Sequence, residues 1–161
     1  PLLLGGGQEG GYRSGTEATP AIFSFAAAAE AGAATFREDR ERETALLAGL
    51  AQTLSTMPGV VINGAHEAPH ILSVSVPGVP TQNTINILQD HGICVSAGSA
   101  CAKGHRSHVL TAMGIPPEII DGTFRISLSR LNTKEELDKL VQAIRLDILP
   151  RVKAERGGIH E

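Results

Sequence analysis

Residues 124–149, FRISLSRLNTKEELDKLVQAIRLDIL, read as one strand followed directly by one helix. In Phe124-Arg125-Ile126-Ser127-Leu128 apolar and polar residues alternate with the two-residue period of a strand, which puts the charge of Arg125 on one face. Thr133 and Glu136 stand three apart, the spacing of a capping box in which each side chain satisfies the backbone N–H of the other. Leu137, Leu140, Val141, Ile144 and Ile148 follow at helical spacing and predict a helix to about Leu149, with the tail after Pro150 fraying.

Upstream the same alternation recurs. Val60–Ile62 reads as a short strand closed by Asn63-Gly64, and Ile71, Leu72, Val74 and Val76 as a second. Pro77-Gly78-Val79-Pro80 turns into a helix from about Thr81 to His91, which Gly92 stops. Ile93-Cys94-Val95 reads as a third strand, with Cys94 in the core between two apolar neighbours. The loop Ser96–His108 follows, and then Val109–Met113 and the Pro116-Pro117 start predict two short helical pieces. Far upstream, Thr19 caps and Pro20 opens a long helix to about Met57, with bends expected at Gly32 or Gly49. Its charged run, Arg37–Glu43, reads as a solvated face, and Leu46, Leu47, Leu50 and Leu54 restore an apolar one. Few short strands among helices, without an internal repeat, predict an α+β fold. It consists of a small, largely antiparallel sheet covered by helices, with a long N-terminal connecting helix. The expected segments are 1–19, a glycine-rich lead-in; 20–57, the connecting helix; and 58–161, a compact domain.

The chain has 161 residues, 42% of them apolar, enough for a substantial core. A net charge of −3 without a dense basic run removes the electrostatic reason to expect nucleic acid or an acidic membrane. The longest apolar stretch, 21–30, is too short to span a bilayer and has no basic region before it. Two cysteines in dissimilar settings are no disulfide framework and suit a reducing compartment, so the cytoplasm is expected. Pro1 followed by Leu2-Leu3-Leu4, which reads as a strand end, suggests a piece of a longer protein.

Three places can carry chemistry. Cys101 lies in SAGSACAKGH, residues 96–105, where small residues expose the sulfur and Lys103, His105 and Arg106 would favour its thiolate. It stands as a nucleophile or as an inert loop thiol. Cys101, His105 and His108 also offer three metal ligands, one short of a closed zinc site. Arg125 presents a guanidinium fork for a carboxylate, against the plainer reading of a surface salt bridge. Arg13-Ser14-Gly15-Thr16 combines a guanidinium, two hydroxyls and permissive backbone, the parts of an anion cradle. Before it, GGGQEGGYRSG holds six glycines in eleven positions and reads either as a loop built for close approach or as a flexible tail. His66, His70, His91 and His160 show no evident partner.

GGGQEGGYRSGTEATPAI at 5–22, GICVSAGSAC at 92–101 and FRISLSRLNTKEELDKLV at 124–141 together resemble, in order, three segments of the cysteine desulfurases. These are class-V aminotransferase relatives of fold-type I that use pyridoxal 5'-phosphate. The resemblance implies that 1–19 ends a large cofactor-binding domain and that 58–161 is the C-terminal small domain with an active-cysteine loop. It implies Cys101 as the nucleophile that takes sulfur from L-cysteine as a persulfide, releasing alanine. Arg125 would hold the substrate carboxylate, and Thr16 the cofactor phosphate in the neighbouring subunit of a homodimer. The sulfur would pass to an acceptor such as an iron–sulfur scaffold protein.

The departures are as informative. The family's cofactor lysine lies in a Ser-x-His-Lys context, whereas Lys103, Lys134, Lys139 and Lys153 never follow a histidine. The segment alone is therefore expected to be inactive and not to hold the cofactor covalently. His70 and Ser129 stand where the family implies asparagine and glycine, which leaves open the preference between cysteine and selenocysteine. A stand-alone sulfur-relay or scaffold-binding module, and the small metal site, remain the alternatives.

Overall fold

The computed structural model of the chain describes residues 1–65, 67–97 and 106–152. It has two compact units, Pro1–Glu38 and Asp39–Glu161.

In the first unit the glycine-rich segment is an ordered loop. Leu2 N–H donates to the Tyr12 carbonyl at 2.8 Å, and Leu3 pairs with Arg13 in an isolated parallel bridge. Between them the chain doubles back through a 3-10 turn, Gln8–Gly11, with Glu9 and Gly10 at φ of 53° and 61°. Glycine adopts this left-handed conformation without penalty, as Gly10 does here and Gly11 and Gly15 do beside it at φ of 83° and 106°. Helix α1, Thr19–Ser55, starts in this unit and ends in the second, helical through Gly32 and Gly49. Its alanine-rich start leaves Ile22, Phe23, Phe25 and Phe36 exposed.

The second unit is built on a four-stranded antiparallel sheet: β1, Val61–Asn63; β2, Ile71–Ser75; β3, Ser96–Ala97; and β4, Thr123–Ser127, in the order β1-β2-β4-β3. Its helices are the C-terminal half of α1, then α2, Thr81–Asp90; α3, His108–Ala112; α4, Pro117–Ile120; and α5, Lys134–Ala143. The α+β expectation holds. Leu72, Val74, Val76, Phe124, Ile126 and Leu128 alternate onto one face of the sheet and are buried against Leu50, Leu54, Leu88, Leu140, Ile144 and Ile148. The opposite face is polar. Asn63 Nδ2 donates to Ser75 Oγ at 2.8 Å, and Ser75 Oγ lies 2.6 Å from Thr123 Oγ1. Such a chain is tolerated in a buried place because each member is satisfied.

The capping box forms as expected: Glu136 N–H donates to Thr133 Oγ1 at 3.3 Å, and Thr133 N–H to Glu136 Oε2 at 3.1 Å. The helix beyond departs from expectation. At Ile144–Ile148 it widens into a π-helical turn and then continues through Pro150 to Val152. A proline ring presses on the carbonyl four residues back, and the wider turn just before Pro150 relieves that pressure. The charged run of α1 is not only solvated either, because Arg42 donates to the carbonyls of Arg130 and Asn132 and ties α1 to the loop after β4.

Cys94 corrects the reading most clearly. Pairing in β3 begins only at Ser96, and Cys94 is exposed. Ile93 and Val95 pack against the core, so the two-residue alternation turns the sulfur between them outward.

Candidate functional site

The polar face of β4 is the part of the fold best placed for recognition. Arg125 is held in register between Ser73 of β2 and Ser96 of β3, and the burial pattern of β4 leaves it exposed between Phe124 and Ile126. Among the described residues its guanidinium makes no ion pair and no hydrogen bond. The salt-bridge alternative thus has no partner here. A fork on a central strand, with no hydrogen bond or ion pair among the described residues, is suited to bind a carboxylate through two parallel hydrogen bonds.

β3 ends at Ala97, four residues before Cys101 in the chain. Cys101, Lys103 and His105 lie outside the described residues, as does His66. The description resumes at Arg106. This side chain, read from sequence as tuning the thiol, is engaged elsewhere: its Nε and Nη2 donate to the two carboxylate oxygens of Asp121, each at 2.7 Å. The hydrogen bond from Arg106, opposed by partial burial and helped by its charge, holds the Asp121 carboxyl below the ordinary carboxylate range. Ser107 is buried and caps α3, its Oγ accepting from Leu110 N–H at 3.4 Å.

His108 begins α3 and is exposed, and of the proposed metal set it alone is described. Among the described residues no group of three or more His, Cys, Asp and Glu side chains could hold a metal ion. His91, which showed no evident partner, lies 3.1 Å from Asp147 on the π-helical turn. Ser129 needs no glycine's freedom, since Glu9 is the one non-glycine residue at positive φ among those described. It instead forms a local turn in which its N–H donates to Asn132 Oδ1 at 2.8 Å. His70 serves the sheet through its carbonyl, which accepts from Leu128 N–H at 2.8 Å.

In the first unit, two of the three groups that sequence offered for an anion are spent internally. Arg13 Nη1 donates to the carbonyls of Gly15 and Thr16 at 3.1 and 3.0 Å, and Ser14 Oγ donates to that of Gly6 at 2.7 Å. The Thr16 hydroxyl is exposed and, among the described residues, makes no hydrogen bond. Sequence reasoning missed the pairings of Arg42 and Arg106. Each joins residues distant in the chain, and local spacing carries no signal for them.

Comparison with known proteins gives the geometry a family. "Cysteine desulfurase 2" of Trichormus variabilis is 41% identical over 148 residues, which are 88% of this chain and 37% of that protein. A solved NifS-like protein superposes with a TM-score of 0.77 at 37% identity over 89% of this chain and 37% of its own. The NifS-like protein from Rickettsia africae does so with 0.77 at 33% identity, over 90% of this chain and 39% of its own. The chain therefore spans less than two-fifths of the length of these relatives. No helix among the described residues is long and apolar enough to cross a membrane. Residues 6–140 match the class-V aminotransferase family, and the chain belongs to it.

Proposed function

We propose that the chain is the C-terminal portion of a pyridoxal-phosphate-dependent cysteine desulfurase, with Cys101 as the sulfur-carrying nucleophile. The observation that carries this reading is Arg125, exposed and, among the described residues, unpaired on β4 beside the strand that leads into the Cys101 segment. Cys101 lies four residues on from Ala97, a chain length of at most about 14 Å. Among the compared relatives, the one from Trichormus variabilis is itself named a cysteine desulfurase.

In this reading Arg125 receives the α-carboxylate of L-cysteine and fixes which way its thiol points. The Cys101 thiolate attacks the substrate sulfur, an S–S bond forms as the substrate C–S bond breaks, and the released carbon takes up a proton. Cys101 and L-cysteine thus become a Cys101 persulfide and L-alanine, with atoms and electrons balanced. Pyridoxal phosphate, when bound, supplies the electron sink for the breaking bond.

The described residues fit the rim of such a cofactor site and not its centre. Thr16, whose hydroxyl makes no hydrogen bond among the described residues, would offer it to a phosphate oxygen in the neighbouring subunit of a homodimer. Of the described lysines, Lys134 is held by Asp138 at 2.7 Å and Lys139 lies on the exposed side of α5. The lysine that anchors the cofactor belongs to the rest of the protein, and so does turnover. Residues 1–19 then end the large domain, 20–57 connect, and 58–161 form the small domain. An iron–sulfur scaffold or another acceptor protein in the cytoplasm takes the sulfur.

The test is kinetic, on the full-length protein loaded with cofactor. Arg125→Ala removes charge-assisted hydrogen bonds worth about 1.5–3 kcal/mol, so KM for L-cysteine rises about 10- to 100-fold. An unchanged KM would remove Arg125 from the site.

A further inference from the structure

The hydrogen-bond chain on the polar face of the sheet has a direction that its own chemistry fixes. The Thr123 hydroxyl has one proton and donates it to the Ile119 carbonyl at 2.9 Å. It therefore only accepts from Ser75 Oγ, 2.6 Å away, and Ser75 spends its proton there. Ser75, its proton spent, only accepts from Asn63, which turns the amide group of Asn63 with its nitrogen toward the serines at 2.8 Å. The second proton of the same Nδ2 goes to Ser73 Oγ at 3.2 Å. Asn63, Ser75 and Thr123 are 8%, 0% and 2% exposed, so solvent does not reverse this order.

The chain ends on Ser73, partly buried on β2, which accepts from Asn63 and whose own proton finds no acceptor among the described residues. Ser73 is the register partner of Arg125. Residues directly opposed in an antiparallel pair share a face, with Cβ atoms about 4.5–5.5 Å apart. The guanidinium has donors only, so it gives the Ser73 proton nothing to bind. None of the four strands carries an aspartate or glutamate, and the strands themselves supply neither group with a carboxylate. Ser96, the register partner of Arg125 on the other side, has a hydroxyl without a hydrogen bond among the described residues, so nothing there directs its proton.

We infer that Ser73 is a second binding residue of the Arg125 site, donating its hydroxyl to an oxygen of the substrate carboxylate that Arg125 holds, with Asn63 as the positioning residue that directs it. The inference rests on the reading of Arg125 as the carboxylate anchor. It also sets a specificity. A site made only of donors suits a carboxylate, whose oxygens all accept, and rejects the carboxamide of the same size, whose NH2 group meets donors and leaves one of them unpaired.

The experiment measures binding of L-alanine and of L-alaninamide by calorimetry, and KM and kcat for L-cysteine, in the full-length protein loaded with cofactor. The variants are Ser73→Ala, Ser73→Thr and Arg125→Ala, with Ser73→Ala also made in the Arg125→Ala background. Ser73→Ala should weaken L-alanine about tenfold and L-alaninamide by less than about twofold, so that the preference for the carboxylate narrows. KM for L-cysteine should rise by the same factor with kcat within about twofold. Ser73→Thr keeps the hydroxyl on a residue that favours strands and should stay within about threefold of the unaltered protein. With Arg125→Ala already present, Ser73→Ala should cost less than about threefold, because the two residues act on one carboxylate. A merely structural role would weaken both ligands together. Unchanged L-alanine binding in Ser73→Ala, equal loss of the two ligands, or failure of Ser73→Thr to restore binding would overturn the inference. If Arg125→Ala leaves L-alanine binding unchanged, or the protein has no desulfurase activity, the functional reading falls instead, and the ratio of the two ligands in Ser73→Ala still reports whether its hydroxyl meets a carboxylate.

Discussion

Replacing Gly122 with alanine should be among the most damaging single-methyl changes in the second unit. A Cβ built on Gly122 would overlap the Val76 carbonyl oxygen, and would lie 2.9 Å from the Val76 carbonyl carbon and 3.1 Å from the Val79 oxygen. All three are backbone atoms and cannot rotate away. Relief requires the turn before β4 to part from residues 76–79, against the bond from Val76 N–H to the Gly122 carbonyl at 3.0 Å and those from Thr81 to Asp121. Overpacking costs about 1–3 kcal/mol. Loss of one such bond adds about 1 kcal/mol, so a destabilisation of about 2–4 kcal/mol is expected. Gly49→Ala is the control, because Gly49 lies exposed inside α1 with no neighbour within 4 Å of the added methyl. The same chemical change there should stabilise by about 0.5–1 kcal/mol. Urea unfolding followed by circular dichroism measures both. If Gly122→Ala stays within about 0.5 kcal/mol of the unaltered chain, the packing of β4's entry has been misread.

Two further outcomes follow from the same contacts. Asp121, Glu135 and Glu136 all hold their protons less readily folded than unfolded. Asp121 is lowered chiefly by its hydrogen bond from Arg106, Glu135 by its backbone at the start of α5, and Glu136 by Asn132. Groups with a depressed folded pKa stabilise above their unfolded values, 3.8 for aspartate and 4.5 for glutamate, and the contribution is lost as pH falls through the lower folded values. Stability should therefore be steady across neutral pH and fall below about 4.5, the Asp121 part vanishing in Arg106→Ala; denaturant titrations at stepped pH check this. In a Cys101→Ser chain, Cys94 should react with a thiol reagent under native conditions at the rate of an exposed cysteine, and protection comparable to that of a core thiol would contradict its outward orientation.

How much of this was legible beforehand depended on the range of the signal. The capping box at Thr133 and Glu136 and the stop at Gly92 are local, and both stand where their spacing put them. The alternation of β4 also placed Arg125 on the exposed face. Cys94 was misjudged because apolar neighbours were taken as a sign of burial, although in extended chain they point the opposite way from the residue between them. The π-helical turn before Pro150 was missed because apolar spacing does not register a widened backbone. Arg42 and Arg106 find partners 88 and 15 residues away, which only the fold brings together. The internal use of Arg13 and Ser14 was hidden for a similar reason, since the loop that returns to Gly6 satisfies them with its own carbonyls.

The measurement that bears most directly on the central claim is the intact mass of the full-length protein after incubation with pyridoxal phosphate and L-cysteine, beside its Cys101→Ser variant and beside this chain alone. The account predicts alanine release and the added mass of sulfur on Cys101 in the full-length protein, neither of them in the variant, and no cofactor absorbance in the chain alone. A variant that turns over normally, or a full-length protein that binds no cofactor, would contradict it.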